Sequence, residues 1–184
     1  MVRAPSPLPA AEEPGGFDAL YREHAGRVAR WAARLGGPSV DVDEVVQEVF
    51  LVVHQQLPSF RGEARVTTWL YRITANIARH RRRRARWWRL LAGEPADALD
   101  RLPSPRPTPV EELERRQAAD RVYRILDGMN DRYRTLLILF ELEGLDADAI
   151  SELTGHRPET LWVALHRART QFVARLQRDL KARP

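Results

Sequence analysis

The sequence predicts an all-α protein made of two small helical domains joined by a proline-rich linker. Apolar residues recur at spacings of three and four positions through most of the chain, which is the period of an amphipathic helix. Glycine and proline follow several of these patterns, at the places where helices are expected to end. Five prolines lie between positions 95 and 109, a composition typical of a linker between domains.

The composition of the 184 residues limits the classes of function. A formal net charge of +5 favours an acidic partner, with nucleic acid ahead of an anionic membrane. The absence of cysteine excludes disulfides, thiolate metal sites and cysteine catalysis. No apolar segment suits a signal peptide, and no run approaches the roughly 18 apolar residues of a membrane span. We therefore expect a cytoplasmic protein.

Two helices are predicted after a flexible tail at residues 1–16. The first spans residues 17–36, and the second spans residues 41–57 with Asp41 as its N-cap. The second segment is rich in valine, which also suits a strand, but its spacing, its length and Pro58 favour a helix. The residues expected in the core are Phe17, Leu20, Tyr21, Val28, Trp31, Leu35, Val42, Val45, Val46, Val49, Phe50, Val53 and Leu57.

The opposite face of the second helix is acidic and rich in amides, with Glu44, Gln47, Glu48 and Gln55. In an arginine-rich protein such a face suits a basic protein partner. A face that is merely solvated is the simpler interpretation of this pattern, so the residues alone leave both interpretations open.

A third helix is predicted from residue 67 to about residue 90, after a polar loop at residues 58–65, with Thr67 or Thr68 as its cap. Its first half carries an apolar face and its second half a run of arginines: Trp69, Ile73 and Ile77, then Arg79, Arg81, Arg82, Arg83, Arg84, Arg86 and Arg89. This combination suits a nucleic-acid strand, because arginines neutralise phosphates and aromatic rings stack on unpaired bases. A core helix with a solvated basic end is the alternative.

The second domain is predicted at residues 111–178, between a linker at residues 91–110 and a tail at residues 179–184. Its helices are expected at about 111–127, 131–143, 146–154 and from Pro158 onward. Their expected core residues are Leu113, Ala118, Val122, Ile125, Leu126, Tyr133, Leu136, Leu137, Leu139, Phe140, Ala149, Ile150, Leu153, Leu161, Leu165, Ala168, Phe172 and Leu176.

The last two of these helices form a helix-turn-helix pattern, because a short helix, a glycine-containing turn at Gly155 and a longer basic helix follow one another. In that geometry the start of the second helix enters the major groove of DNA. The residues expected to face outward are Glu159, Thr160, Trp162, Val163, His166, Arg167 and Arg169. A helical hairpin of this shape without DNA binding is the alternative.

Residues for covalent chemistry do not converge in the sequence. The five histidines are scattered, without the spacing of a metal-ligand pair, and nothing pairs carboxylates in a pocket. There is no glycine-rich phosphate loop and no nucleophile elbow. We therefore expect no metal, no cofactor, no small-molecule substrate and no enzyme activity.

Several short motifs, taken in order over residues 17–178, resemble one family, the extracytoplasmic-function sigma factors of bacterial RNA polymerase. The matching residues are Phe17 to Tyr21, Asp43 to Phe50, Phe60 to Glu63, Thr68 to Ile73 with Asn76, Thr160 with Leu161, and Leu165 to Arg169. The resemblance implies sigma region 2 at residues 17–90 and sigma region 4 at residues 111–178. It also implies a protein that directs core RNA polymerase to promoters and melts the −10 element.

The same resemblance implies roles for individual residues and for partners. Binding to the clamp helices of the largest polymerase subunit falls to Asp43, Glu44, Gln47 and Glu48. Recognition of the −10 element falls to Phe60, Arg61, Gly62, Glu63, Trp69, Asn76, Arg79, Arg82 and Arg83, and recognition of the −35 element to Arg157, Glu159, Thr160, Trp162, His166, Arg167 and Arg169. The polymerase flap and an anti-sigma factor are further expected partners.

The sequence departs from the family pattern at two places. Val66 stands where the family often has an aromatic residue, and the start of the last helix has Trp162, Val163 and Ala164 in place of a basic or small polar face. Either Trp162 packs on DNA sugar or a thymine methyl group, or the −35 contacts move to the charged neighbours, or Trp162 packs on a partner protein. Trp69 similarly fits either the core or a wedge in DNA.

Two other classes of function compete with this one. A freestanding helix-turn-helix regulator accounts for residues 111–178, but it leaves the acidic face around Gln47 and the segment from Pro58 to Arg89 without a role. An RNA-binding helical protein accounts for the arginine run, but not for the pattern of the second half.

Overall fold

The computed structural model describes residues 16–62, 65–92 and 109–181. These residues form α-helices, one 3₁₀ turn and one π-helical turn, with no strand among them. The all-α prediction is confirmed. The chain divides into two compact units between Trp87 and Trp88, within its third helix.

The N-terminal unit is built from three helices and a turn. They are α1 (Gly16–Gly36), α2 (Val42–Gln56), a 3₁₀ turn (Leu57–Ser59) and α3 (Val66–Ala92), of which α3 belongs to this unit as far as Trp87. The Asp41 side chain accepts a hydrogen bond of 3.1 Å from the backbone N–H of Glu44, so the predicted N-cap of α2 is present. The helical interpretation of this valine-rich segment is confirmed.

The core of this unit lies where α1, α2 and α3 meet, and it follows a different line on α3 from the one predicted. Leu70, Tyr71, Thr74, Ile77 and Ala78 are buried, whereas Trp69 and Ile73 are half-buried. Since apolar residues occupy adjacent positions here, the sequence period does not fix which of two neighbouring lines turns inward. Tyr21, expected in the core, is instead exposed on α1.

The predicted threonine cap of α3 is wrong. The helix begins at Val66, and the carbonyl of Arg65 accepts a hydrogen bond of 3.0 Å from the backbone N–H of Trp69. Thr67 and Thr68 therefore lie inside the first turn, and Thr68 is buried. Neither threonine is at the N-cap position, because the helix starts before them.

The C-terminal unit contains four helices and the π-helical turn. They are α4 (Pro109–Asp127), α5 (Asp131–Leu137), the π-helical turn (Ile138–Leu142), α6 (Ala147–Thr154) and α7 (Pro158–Lys181). Residues 131–143 were predicted as one regular helix. In the π-helical turn the backbone N–H of Glu143 instead bonds the carbonyl of Ile138 at 3.0 Å, five residues back.

The core of the C-terminal unit is formed by fully buried residues of α5, the π-helical turn, α6 and α7: Leu136, Ile138, Leu139, Ile150, Leu161 and Leu165. In α4, Ile125 and Leu126 are buried, whereas Leu113 and Ala118 are exposed, contrary to prediction. The predicted burial is thus present at the C-terminal end of α4 and missing toward its start. Val122, Tyr133, Phe140, Phe172 and Leu176 are half-buried.

Some predicted segments lie outside the described residues, namely the N-terminal tail up to residue 15, residues 63–64, residues 93–108 of the linker and residues 182–184 of the C-terminal tail. The ends of the predicted linker belong to helices, because Leu91 lies in α3 and Val110 in α4. Helix α7 continues past the predicted limit of the domain to Lys181. Among the described residues, none of the helices combines the length and the apolar character that crossing a membrane requires.

Candidate protein and nucleic-acid interfaces

The acidic face of α2 is joined to α3 through Arg81. The Nε of Arg81 donates to Glu48 Oε2 at 2.8 Å, and its Nη1 donates to Glu44 Oε2. Because Glu44 and Glu48 are four residues apart, both carboxylates lie on one side of α2 and reach the same guanidinium. The hydrogen bond to Glu48 raises the pKa of Arg81, against the opposing effect of burial.

Sequence reasoning placed Arg81 in the basic run, with the role of neutralising phosphates of the DNA strand, and did not predict its pairing with α2. The signal was present in part, since two acids four residues apart on one helix commonly bind a cation. Which of the successive arginines from Arg81 to Arg84 faces α2 depends on how the two helices pack, and the sequence does not fix that register.

An apolar groove of about 540 Å³ lies beside this acidic face, between α1 and α2. Its lining is Phe17, Tyr21, Val46, Phe50, Leu51 and His54, with Asp43 and Gln47 also contributing. The rings form a connected cluster, with Tyr21 and Phe50 centroids 4.6 Å apart and Phe17 and His54 centroids 5.2 Å apart. Two of the four predicted polymerase-binding residues thus border an apolar surface that the sequence analysis assigned to the core.

The loop before α3 places an aromatic pair at the predicted −10 site. The rings of Phe60 and Trp69 lie 4.5 Å apart at 34° to one another, and both residues are half-buried. Arg61 and Gly62 are exposed beside them, whereas Glu63 lies outside the described residues. Gly62 has a φ of +71°, a conformation that favours glycine. Trp69 is therefore packed on the loop and not in the centre of the core.

The basic half of α3 presents some of its predicted contact residues and buries one of them. Asn76, Arg79 and Arg83 are exposed. Arg82 is only 5% exposed, because it follows Ala78 by one helical turn on the buried line of α3. The expectation that Arg82 contacts DNA is therefore corrected.

Two exposed indoles, Trp87 and Trp88, were missed by the sequence analysis. They directly follow Arg86 in the basic run. Aromatic rings interleaved with arginines are a usual feature of surfaces that bind single strands, and this pattern was available from the sequence.

The predicted helix-turn-helix is formed by α6, a tight turn and α7. Gly155 ends α6 with a φ of +74°, and its N–H bonds the carbonyl of Ser151 at 2.8 Å. The turn is also tied to α5, because His156 Nε2 accepts from Arg132 Nε at 2.7 Å. His156 Nδ1 lies 2.9 Å from Thr154 Oγ1, which itself donates to the carbonyl of Ile150. The neutral Nδ1–H tautomer satisfies all of these contacts.

The outward residues of α7 are exposed as predicted, and three of them also make contacts within the unit. Arg169 Nη2 lies 2.7 Å from Glu141 Oε1, and its guanidinium carbon lies 5.1 Å from the centroid of the Phe140 ring. The indole of Trp162 meets Phe140 edge-on at 5.7 Å. Thr160 Oγ1 donates to the carbonyl of Arg157 at 3.0 Å. Arg157, Glu159, His166 and Arg167 remain exposed in the first turns.

Comparison with known proteins agrees with this division into units. The family described as Sigma-70 region 2 matches residues 20–88, and the family described as Sigma-70, region 4 matches residues 119–172. The extracytoplasmic-function RNA polymerase sigma-E factor of Escherichia coli K12 is 30% identical over 170 residues, which cover 88% of this chain and 86% of that protein.

The chain belongs to the extracytoplasmic-function sigma factors.

Other relatives of this sigma factor extend the comparison. The sigma factor SigE of Mycolicibacterium smegmatis is 31% identical over 85% of this chain, and this chain spans 60% of that relative's length. The solved structure of CnrH in complex with the cytosolic domain of CnrY matches with a TM-score of 0.60 at 22% identity, over 92% of each chain. That of RpoE from Bartonella quintana, in complex with the anti-sigma factor NepR, matches with a TM-score of 0.57 at 19% identity, over 92% of this chain and 99% of that one.

The function predicted from the resemblance is confirmed at the level of the family, which is that of promoter-specific sigma factors of RNA polymerase. The freestanding helix-turn-helix regulator is not favoured, because the region 2 match covers the N-terminal unit that such a regulator leaves without a role.

Proposed function

We propose that this sigma factor binds the clamp helices of the largest polymerase subunit through the acidic face of α2. The supporting observation is the pair of carboxylates, Glu44 and Glu48, presented together with Asp43 and Gln47 beside an apolar groove. Charges around an apolar patch are the usual composition of a protein interface, in which the patch supplies affinity and the charges supply orientation. Leu51, exposed in the groove, is a further anchor.

The loop from Phe60 to Gly62 and the exposed side of α3 bind the −10 element in this proposal. Extraction of a base costs a few kcal/mol, so a prepared aromatic surface is needed to hold the strand open. The Phe60–Trp69 pair supplies that surface, Arg61 and Asn76 supply polar groups for the base, and Arg79 and Arg83 neutralise phosphates. Glu63 belongs to the same predicted loop.

Helix α7 reads the −35 element through the residues at its N-terminal end. Arg157 and Arg167 bind guanine edges or phosphates, and Glu159 accepts a hydrogen bond from the amino group of cytosine. All three are exposed, as the approach to a major groove requires. The C-terminal unit also meets the polymerase flap in this proposal.

Regulation follows from the same surfaces. An anti-sigma factor that covers the acidic face of α2 prevents access of the polymerase. The complex of RpoE with an anti-sigma factor, formed on a related fold, supports a partner of this type. The protein acts in the cytoplasm by binding alone, without covalent chemistry of its own.

The decisive experiment is run-off transcription with purified core polymerase, this protein and genomic promoter fragments. We expect transcripts that start at defined promoters and that require both proteins. Stable binding to core without any promoter-specific transcript would contradict the promoter-opening role. No binding to core would contradict the proposal for α2 and return the freestanding regulator to consideration.

A further inference from the structure

The outward face of α7 has an apolar patch among polar and charged residues. Trp162 is 55% exposed and Val163 is 52% exposed. At about 100° per residue, Val163 lies near the centre of the outward face, between Glu159 and His166, and Trp162 lies on the flank that also carries Arg169. An indole and an isopropyl group at adjacent positions near the start of this helix present apolar surface that a binding partner can cover.

The indole of Trp162 is held in position from below. The indole meets the Phe140 ring edge-on. The guanidinium of Arg169 lies over the same phenyl ring and is paired with Glu141. Phe140 and Glu141 both come from the π-helical turn. A side chain that is already positioned loses little conformational freedom when it binds, so the apolar surface of Trp162 is prepared for contact.

The surroundings of the patch favour DNA over an apolar protein surface. Arg157, directly before α7, and Arg167 within it are exposed together with one acid, Glu159, and Thr170 and His166 continue the outward face as polar groups. A patch with cations at its margin suits a target with phosphates at its margin and an apolar group at its centre. In the major groove the C5-methyl group of thymine is that apolar group, and no other base edge carries one.

We propose that Trp162 and Val163 contact thymine methyl groups in the −35 element, so that this sigma factor recognises thymine there through its methyl group. The proposal rests on the −35 role given above to α7. An apolar surface then stands where the family pattern has a basic or small polar face, and Arg157 and Arg167 supply the positive charge.

Deoxyuridine tests the proposal, because it lacks the methyl group of thymidine and keeps every hydrogen-bonding group. The probe is a duplex promoter fragment recovered by run-off transcription, with its −35 thymidines replaced one at a time. Binding is measured with holoenzyme assembled from core polymerase and the full chain. We expect affinity to fall about fourfold for each contacted methyl group, the value that corresponds to burial of one such group.

Variants assign the effect to the patch. The double variant Trp162→Ala with Val163→Ala is expected to bind the thymidine and deoxyuridine fragments equally, with an unchanged helical circular dichroism spectrum. Arg167→Ala is the matched control, because loss of a cation weakens binding to both fragments and leaves their ratio unchanged. Trp162→Phe retains an aromatic face and is expected to retain part of the ratio.

Three results overturn the proposal: equal binding of all fragments by the unaltered protein, a thymidine preference that survives in the double variant, or a −35 element without thymine in either strand. Loss of core affinity in the double variant, with no effect of deoxyuridine, would assign the patch to a protein partner. A fragment with a scrambled −35 element distinguishes failure of the −35 role of α7 from failure of the methyl contact alone. If scrambling leaves binding unchanged, the −35 role of α7 itself fails; if scrambling weakens binding and deoxyuridine does not, only the methyl contact fails.

Discussion

On α2, the residues proposed to meet a partner are the acids Glu44 and Glu48, and their internal counter-charge is Arg81. On α7 the signs are inverted, since the predicted contact is Arg169 and its internal counter-charge is Glu141. In both units an ion pair between two helices therefore includes a residue of the proposed binding surface. The ratio of acids to arginines differs between the two sites. Two acids share one arginine on α2, whereas one arginine faces one acid on α7.

This difference shows where the attraction for each target comes from. Two carboxylates against one guanidinium leave the α2 face with excess negative charge for a basic protein. The one-to-one pair on α7 leaves Arg169 neutralised, so attraction for DNA must come from residues such as Arg157 and Arg167. Exposed ion pairs contribute only about 0–1 kcal/mol, so a binding partner can exchange either of them at small cost.

The largest expected effect is that of reversing both acids on α2. Glu44→Arg with Glu48→Arg places three cations together and removes the proposed contacts with the clamp helices. We expect affinity for core polymerase to fall on the order of 100-fold, in line with the loss of contacting charge pairs. Equilibrium binding to purified core measures it. Glu23→Arg, on the exposed side of α1, controls for the effect of one reversed charge elsewhere on the unit, and an unchanged affinity in the double variant would remove α2 from the interface.

A smaller effect is expected at a surface that belongs to neither ion pair. Asn76→Ala removes an exposed amide from α3, and promoter opening is expected to fall about tenfold, the loss of one or two hydrogen bonds. Formation of the closed complex should stay nearly unchanged, because the clamp-binding and −35 surfaces are intact. Permanganate footprinting of unpaired thymines measures opening. Equal opening by the variant would exclude Asn76 from the −10 site.

Removal of the counter-charge on α2 tests whether Arg81 competes with the polymerase. In Arg81→Gln the two carboxylates lose their internal cation, and we expect affinity for core to rise about threefold at low salt, the value of an exposed ion pair. Association rates over a series of salt concentrations measure it. Arg84→Gln, in the same run, is the matched control. A fall in affinity would mean that Arg81 holds the acids in their binding geometry.

The mirrored substitution on α7 is Glu141→Gln, which releases Arg169. Non-specific affinity for duplex DNA is expected to rise about twofold at low salt, and the dependence of binding on salt to steepen by less than one counterion. Titrations of random-sequence duplex at several salt concentrations measure both. If neither changes, Arg169 stays on Phe140 without its acid, and the comparison of the two ion pairs applies to α2 alone.

The smallest expected effect is on the pH dependence of stability, which has the same direction in both units. Burial lowers the pKa of His24, and burial together with Arg132 lowers that of His156, both from an ordinary value of 6.5. The unfolded chain therefore takes up protons first as pH falls, so both units lose stability below about pH 6.5 and are unaffected above it. Thermal unfolding followed by the indole NMR signal of Trp162 reports the C-terminal unit. His156→Gln should reduce its pH dependence, and an unchanged dependence would contradict this assignment.

The sequence predicts the helices well because their signals are local. Asp41, Asp146 and Pro158 mark helix starts through chemistry that acts within one turn. It also predicts which residues of α7 face outward, because Leu161, Leu165 and Ala168 give one clear apolar line.

The errors have a common origin in tertiary packing. In a run of consecutive arginines the sequence does not indicate which residue faces the interior of the unit. The burial of Arg82 and the pairing of Arg81 therefore could not be predicted. On α3 the buried line is shifted by one or two residues, because Trp69 and Leu70 are both apolar. The π-helical turn and the contact between Glu141 and Arg169 depend on how α5 and α7 pack, which no local pattern encodes.

The π-helical turn between Ile138 and Leu142 holds more residues than a turn of regular α-helix. A homologous chain shortened by one residue at this place returns to a regular helix and keeps the elements on either side. Because the deletion absorbs the extra residue, it changes which side chains of the turn itself face α7, so that Phe140 and Glu141 lose their alignment with Trp162 and Arg169. If α7 reads the −35 element as proposed, a single-residue deletion here is an evolutionary route by which a related sigma factor changes its promoter preference without any substitution in α7 itself.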